Sequence, residues 1–391
     1  MRKTLYGLLL AAWLAAGNLL VAQQACPGLP YIANTPEDEL MQAVNGAENP
    51  QEQIAALDKF SQAHADSKFM PCVHEYYTIV YLKTNNYDKA IEYGEKGLSS
   101  NYQDMMLMLN VLKAYVASGK VSDTAFDVIL KAPDQIKTEG NPTRPPNVSD
   151  AEWQKTLQES ADQAKDERAY VTYAFFQLLP RLSDANKQIE VMDKFAKAFP
   201  EAETTDAAQL DLANFNAYLM ANKLDKAFEY GEKTIVADPN NLAVRNRLAY
   251  LYAVISRTNL DKAGDYARKA LELAQAAKKP DGVPEDAFKK DMDSQLGMAH
   301  ITLGYIAFLN GAKTKKVGPA IQEFKTATDL LEGNPPLEGE ASFFLGYAYE
   351  VQYPANHRGA IEALDKSASL PSRFQNDARE LLAKVKQAAS K

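Results

Sequence analysis

Apolar positions along this chain recur at helical spacing, and they come in paired segments. In LDKAFEYGEK, which begins at Leu224, residues Ala227, Tyr230, Gly231, Thr234 and Ile235 fall at i, i+3, i+4, i+7 and i+8, one stripe of a helix. Nearly the same words, YDKAIEYGEK, begin at Tyr87 and place Ala90, Tyr93, Gly94, Gly97 and Leu98 on that stripe. A looser copy begins at Leu260 and carries Ala263, Tyr266, Ala267, Ala270 and Leu271. Glycine inside a helix costs roughly 1 kcal/mol against alanine. Keeping Gly94, Gly97 and Gly231 there predicts a second helix packed close against the stripe.

Each copy follows another helical pattern rich in tyrosine. EYYTIVYLK, with Tyr77 and Tyr81, precedes Ala90; NFNAYLM, with Tyr218, precedes Ala227; RLAYLYAV, with Leu248 and Tyr252, precedes Ala263. Two further units follow, LGYIAFL leading to AIQEFKTA and LGYAYEV leading to AIEALDKSASLP. A second echo links QIAALDKF at Gln53 with QIEVMDKF at Gln188. Recurrence of helix pairs at a fixed period is the mark of a repeat protein, in which no unit can bury its apolar face alone.

The chain resembles the tetratricopeptide repeat (TPR) family, of the exported bacterial type, whose pattern is W-x2-L-G-x2-Y, then A-x3-F, then P in about 34 residues. Leu345, Gly346 and Tyr349 match the first part, and Ala320 and Phe324 match the second. Pro239 and Pro371 stand where the pattern wants its proline. No Trp occupies the first position, Ala307 replaces a Tyr, and Gly94 and Gly231 replace the Phe. The units after Leu248, Leu303 and Leu345 carry two to four extra residues in the turn between helices. The resemblance implies an all-α, right-handed α-solenoid of stacked helix-turn-helix repeats.

Taken in order, residues 1–22 read as an export signal, with Arg2 and Lys3 before an apolar run and a small residue, Ala22, at its end. An uncleaved membrane anchor is the alternative for this run. A linker at 23–34 precedes repeats over 35–131. Pro133, Gly140, Pro142, Pro145 and Pro146 predict a proline-rich loop insertion over 132–148. Repeats resume over 149–371, opened by the capping box Ser149–Glu152. A second insertion is expected over 278–291. Residues 372–391 suit a C-terminal capping helix with one wet face.

Composition narrows the chemistry. A net charge of −8 in 391 residues argues against a nucleic-acid groove, which needs a basic stripe. The four histidines, His64, His74, His300 and His357, form no H-E-x-x-H pair and no Cys/His cluster, and no nucleotide loop or nucleophile elbow occurs. The expectation is no catalytic site, no cofactor and no metal. The two cysteines, Cys26 and Cys72, are open to a disulfide in an exported protein, to remaining free thiols, or, for Cys26, to lipid attachment.

Stacked helix pairs present their first helices on a concave side. The resulting candidate groove residues are Tyr76, Asn216, Asn246, Arg247, Tyr250, Tyr305, Phe344 and Tyr347. Relatives that hold a peptide's terminal carboxylate use Lys, Asn and Arg at set positions. Asn216 and Arg247 fall on such positions, but Leu212 stands where the Lys belongs, so that activity is not carried over. The expected function is a non-enzymatic scaffold of the periplasm or cell envelope that binds a protein or peptide partner, without membrane insertion of the mature chain. An outer-membrane assembly or secretion factor, a glycan-binding accessory subunit, and a hydrolase hidden in the 132–148 stretch are the rivals.

Overall fold

Helix signals written in the sequence set the architecture. The computed structural model describes residues 35–100 and 104–390, and every regular element among them is helical. The chain divides into two compact units, 1–209 and 210–391. The division falls at 209/210, not in the proline-rich stretch. No described helix is long and apolar enough to cross a membrane.

The first unit opens with α1 (Pro36–Gly46) and α2 (Pro50–Ala63). Each starts on the same device. Thr35 and Asn49 cap the free N–H groups of the first turn, and the proline that follows gives up an N–H that would have no helical partner. Then come α3 (Met70–Lys83), α4 (Tyr87–Leu98), α5 (Met105–Ser118), α6 (Asp123–Glu139), α7 (Asp150–Leu178), α8 (Ala185–Ala198) and the single turn α9 (Ala202–Thr205). Consecutive helices pack in pairs, and first helices also meet first helices, α3 with α5 and α5 with α7. The echo between Gln53 and Gln188 is a core echo: Phe60 and Phe195 are both fully buried, as are Leu57 and Met192.

The second unit holds α10 (Ala207–Met220), most of which lies beyond the division, α11 (Leu224–Ala237), α12 (Leu242–Tyr250), α13 (Leu260–Ala276), α14 (Glu285–Gly311), α15 (Gly318–Leu330), α16 (Pro335–Val351), α17 (His357–Ser369) and α18 (Gln375–Ala389). Again α12 meets α14, α14 meets α16, and α16 meets the closing helix α18. Each unit is thus a solenoid-type stack of helix pairs.

The glycine stripe does what its cost implied. A Cβ on Gly94 would overlap Val111 Cγ2 of α5. One on Gly231 would come within 2.8 Å of Leu248 and 2.9 Å of Phe215, the helices after and before it. Closeness brings a second bond into reach. Tyr115 of α5 donates to Glu95 of α4, and the residues at the same spacing in the second unit, Tyr252 and Glu232, are 2.9 Å apart. Burial, and then the hydrogen bond to Glu95, push the Tyr115 hydroxyl up to about 12, so it stays a donor throughout the physiological range.

Two expectations are corrected. The stretch 132–148 is not all loop: α6 continues through Pro133 to Glu139, and the irregular part starts at Gly140. The proline removes one helical hydrogen bond, but Ala132 is fully buried with Phe126 and Ile129, and that packing carries the helix past it. Likewise the second insertion is shorter than 278–291, because α14 begins at Glu285. The extra residues in the later turns are absorbed locally: Leu251–Ser256 form a π-helical turn, Ala312–Thr314 a 3-10 turn, and 352–356 a short loop.

Packing and propensity oppose each other at Gly94. Gly94→Ala is expected to lower stability by about 1–3 kcal/mol through overpacking, although it improves helix propensity by about 1 kcal/mol. Gly46→Ala, with nothing within 4 Å of the added carbon, should be neutral or stabilising. Urea midpoints that rise for both variants would contradict the close-approach account. A second test concerns Glu232. Burial pushes this carboxyl up, but donors from Lys262, Tyr266 and Tyr252 outweigh burial and leave it below its ordinary value of 4.5. A depressed carboxylate stabilises the fold above its unfolded value and loses that contribution as pH falls through the folded one. Glu232→Gln should therefore lose less stability than wild type between about pH 5 and pH 3, read from denaturation midpoints; parallel losses would count against it.

Candidate interaction surface

In the second unit, first-helix side chains build one aromatic assembly. Tyr305 and Phe308 stand one turn apart on α14; Phe344 and Tyr347 stand one turn apart on α16. The two helices pair them ring to ring, Tyr305 with Phe344 at 5.2 Å and Phe308 with Tyr347 at 5.3 Å. Phe374, just before α18, stacks on Phe343 at 4.6 Å and meets Phe344 edge-on at 5.0 Å. The deeper members, Tyr305 and Phe344, are buried, whereas Phe308, Phe343 and Phe374 are half-buried and Tyr347 is 42% exposed.

Beneath this assembly lies a buried charge. Glu340 of α16 is 4% exposed. Its carboxylate accepts from Tyr250 Oη of α12 and from Arg373, whose Nε and Nη2 reach it at 3.2 and 3.0 Å. Burial pushes the Glu340 carboxyl up despite the neighbouring Arg373 charge, and burial together with that carboxylate pushes the Tyr250 hydroxyl up as well. Two residues earlier on α16, Glu338 is buried too and pairs with Lys366 at 2.7 Å. Lys366 of the partner helix α17 and Arg373 of the turn before α18 thereby fasten to the first turns of α16. The Arg373 guanidinium also covers the rings of Phe374 and Tyr250, at 4.5 and 5.5 Å.

The structure separates the residues expected to line a groove. Asn246 is fully buried, and its Nδ2 donates to the Gln295 carbonyl at 2.6 Å and to Gln295 Oε1 at 3.1 Å. Asn246, Tyr250, Tyr305 and Phe344 are therefore core residues, not contact residues. The reason is geometric: a first helix has helices on both sides as well as its own partner, so most of its circumference is covered. Asn216, Arg247 and Tyr347 are exposed. Tyr76, in the first unit, is half-buried and donates to Asn45 at 2.8 Å. Tyr347 shares a surface with Phe308, Phe343 and Phe374, and the Arg247 charge reaches Tyr250 and Glu340. Sequence reasoning missed Phe374, Arg373 and Glu340 as members of one assembly. The only available signal was the pair of acidic residues, Glu338 and Glu340, inside an otherwise apolar helix.

The described histidines outside this surface pair with or lie against neighbouring side chains. His300 pairs with Glu323 across α14 and α15 at 2.6 Å, and His357 with Glu350 at 2.8 Å. Burial, followed by the charge of Lys96, lowers the pKa of His74, which lies against Tyr93. No group of three His, Cys, Asp or Glu side chains among the described residues could hold a metal ion. Cys72 is fully buried and disulfide-bonded; the other cysteine, Cys26, and the residues of the export signal lie outside the described residues.

No family model matches this chain, and no curated protein matches it in sequence. Among solved structures it is similar to the C-terminal part of a TPR repeat-containing protein from Cytophaga hutchinsonii, at 16% identity over 78% of this chain and 98% of that one, with a TM-score of 0.34. It is similar to the APC/C hetero-tetramer Cut9-Hcn1, at 14% identity over 91% of each chain, with a TM-score of 0.30. It is also similar to yeast Tom70, at 12% identity over 90% of this chain and 95% of that one, with a TM-score of 0.33.

The division between core and surface rings has a direct readout. Phe344→Ala should cost about 3–5 kcal/mol, as for other large core truncations, while Tyr347→Ala should stay within about 1 kcal/mol. Denaturant titrations of the two variants check this, and equal losses would mean that Tyr347 is as much core as its neighbour.

Proposed function

We propose that this protein is a non-enzymatic scaffold of the cell envelope that holds a partner protein on the first-helix surface of its second unit. The observation that carries the reading is the half-exposed strip Phe308, Tyr347, Phe343 and Phe374. Contiguous partly exposed rings on a rigid scaffold are what interface anchors are made of. Their backs are fixed by the buried rings behind them and by the Glu340 network, so little order remains to be imposed when a partner arrives. Export is supported by the sequence pattern of residues 1–22 and by the bonded state of Cys72, since disulfides persist in oxidising compartments.

A photo-crosslinking residue at position 347 in the full chain, expressed in its own host, should give a discrete adduct. The same residue at Lys269, exposed on second helix α13, should give none. Equal adducts at both positions, or none at 347, would refute the surface. Mass analysis of the mature chain from the envelope fraction should show loss of residues 1–22 and a Cys26–Cys72 bond released only by reductant. An intact Met1 in the cytosolic fraction would refute the location.

A further inference from the structure

At one end of the second unit's helix pairs, three turns gather positive charge. They join α12 to α13, α14 to α15, and α16 to α17. The first helices α12, α14 and α16 pack side by side, so these turns lie along one edge. Two contacts show the alignment: Arg257 stands over the ring of buried Tyr305 at 5.9 Å, and Lys315 stands over the ring of Tyr353, in the next turn, at 5.6 Å. Residues 256–260, 312–318 and 352–358 hold Arg257, Lys313, Lys315, Lys316 and Arg358 and no Asp or Glu, in a chain whose net charge is −8. These cations are exposed and have no ion pair among the described residues. The flanking carboxylates are Asp261 and Glu350, and Glu350 is taken by His357 at 2.8 Å. Tyr353 is 81% exposed, and no other large apolar side chain is exposed on these turns.

We infer that this edge docks on an anionic lipid surface, with its cations against headgroup phosphates and the Tyr353 ring at headgroup depth. The edge is separate from the aromatic strip, and its docking does not depend on the strip. Its composition favours lipid over a protein partner. Protein–protein interfaces are depleted in lysine and close around a packed apolar core; this edge offers three lysines in one turn and a single exposed ring. Basic side chains are drawn individually to an anionic bilayer, and tyrosine, with one apolar and one wet end, settles at the boundary between membrane and water. Packed helices stand about 10 Å apart, which is about one Debye length at 0.1 M salt, so the fields of neighbouring turns add where the edge meets a plane. The contact is peripheral, because no described helix is long and apolar enough to cross a membrane.

The test sediments the full mature chain with vesicles of phosphatidylcholine, alone or mixed equally with phosphatidylglycerol. Binding is expected to the mixed vesicles at low salt, fading as salt is added, and far less to phosphatidylcholine alone. Removing one cation should weaken partitioning about fivefold. Lys313→Gln, Lys315→Gln and Lys316→Gln together should therefore weaken it about a hundredfold and flatten its salt dependence. Lys278→Gln, Lys279→Gln and Lys290→Gln together remove the same charge from exposed positions at or near the opposite end of the helix pairs and should change little. Tyr353→Ala should weaken binding without altering its salt dependence. Equal losses in the two lysine triples reduce the effect to net charge and overturn the edge. Equal sedimentation with both kinds of vesicle, or with neither, overturns the lipid assignment. Release by inorganic phosphate beyond that by chloride at the same ionic strength overturns it as well, since it marks a discrete anion site. The crosslink at position 347 decides the scaffold reading separately from all of these.

Discussion

Close approach between helices, made possible by a missing side chain, underlies both units. Gly94 receives Val111 and Thr78; Gly231 receives Leu248 and Phe215; Gly304 receives Phe324; Gly346 receives Leu364. In each case a glycine that weakens its own helix by about 1 kcal/mol lets a branched or aromatic side chain bury fully, which is worth about 1.5–3 kcal/mol. The exchange favours packing only when the neighbour is present. For Gly94 and Gly231 that neighbour includes the first helix of the next pair, through Val111 and Leu248, so these two glycines couple one pair to the next. It also accounts for the tyrosines: with backbones drawn together, Tyr115 and Tyr252 reach the carboxylates Glu95 and Glu232 of the preceding helix.

The same chemistry gives opposite electrostatic results at two depths. Glu232 is half-exposed and takes donors from Lys262, Tyr266 and Tyr252, and its carboxyl is held below its ordinary value. Glu340 is buried and takes donors from Arg373 and Tyr250, yet its carboxyl is raised. Desolvation grows faster with depth than pairing can offset. A charge placed as deep as Glu340 therefore adds little net stability, and its effect is to fix position. It ties α12, α16 and the turn before α18 to one geometry, the geometry that sets the floor of the aromatic strip.

Much of this was legible in the sequence, and the failures have physical causes. Repeated stripes such as Ala90-Tyr93-Gly94 and Ala227-Tyr230-Gly231 gave helix, pairing and close approach together, because a glycine inside a helix is a net loss unless a neighbour fills the space it leaves. Caps such as Asn49-Pro50 and Ser149-Glu152 gave helix starts. Pro133 misled because the cost of a proline is local and the packing of Ala132 that outweighs it is tertiary. Tyr250, Tyr305 and Phe344 misled because periodicity gives the direction of a side chain and not its depth. Buried Tyr305 and half-exposed Phe308, a single turn apart, carry the same periodic signal. Arg373 and Phe374 were invisible as site residues, since nothing in a loop sequence says which helices it will be folded against.

The turns between first and second helices differ in what fills their left-handed positions. In the compact turns the left-handed position is filled by asparagine, Asn85 at φ 56° and Asn222 at φ 55°, the residue that tolerates it best after glycine. In the lengthened turns of the later repeats the left-handed positions include Arg257 and Lys315, both also at φ 56°. Neither is favoured there by backbone preference, and each cation lies over an aromatic ring of a later element, Arg257 over Tyr305 and Lys315 over Tyr353. A strained cation thus meets a ring in both lengthened turns, at the buried Tyr305 for Arg257 and at the exposed Tyr353 for Lys315.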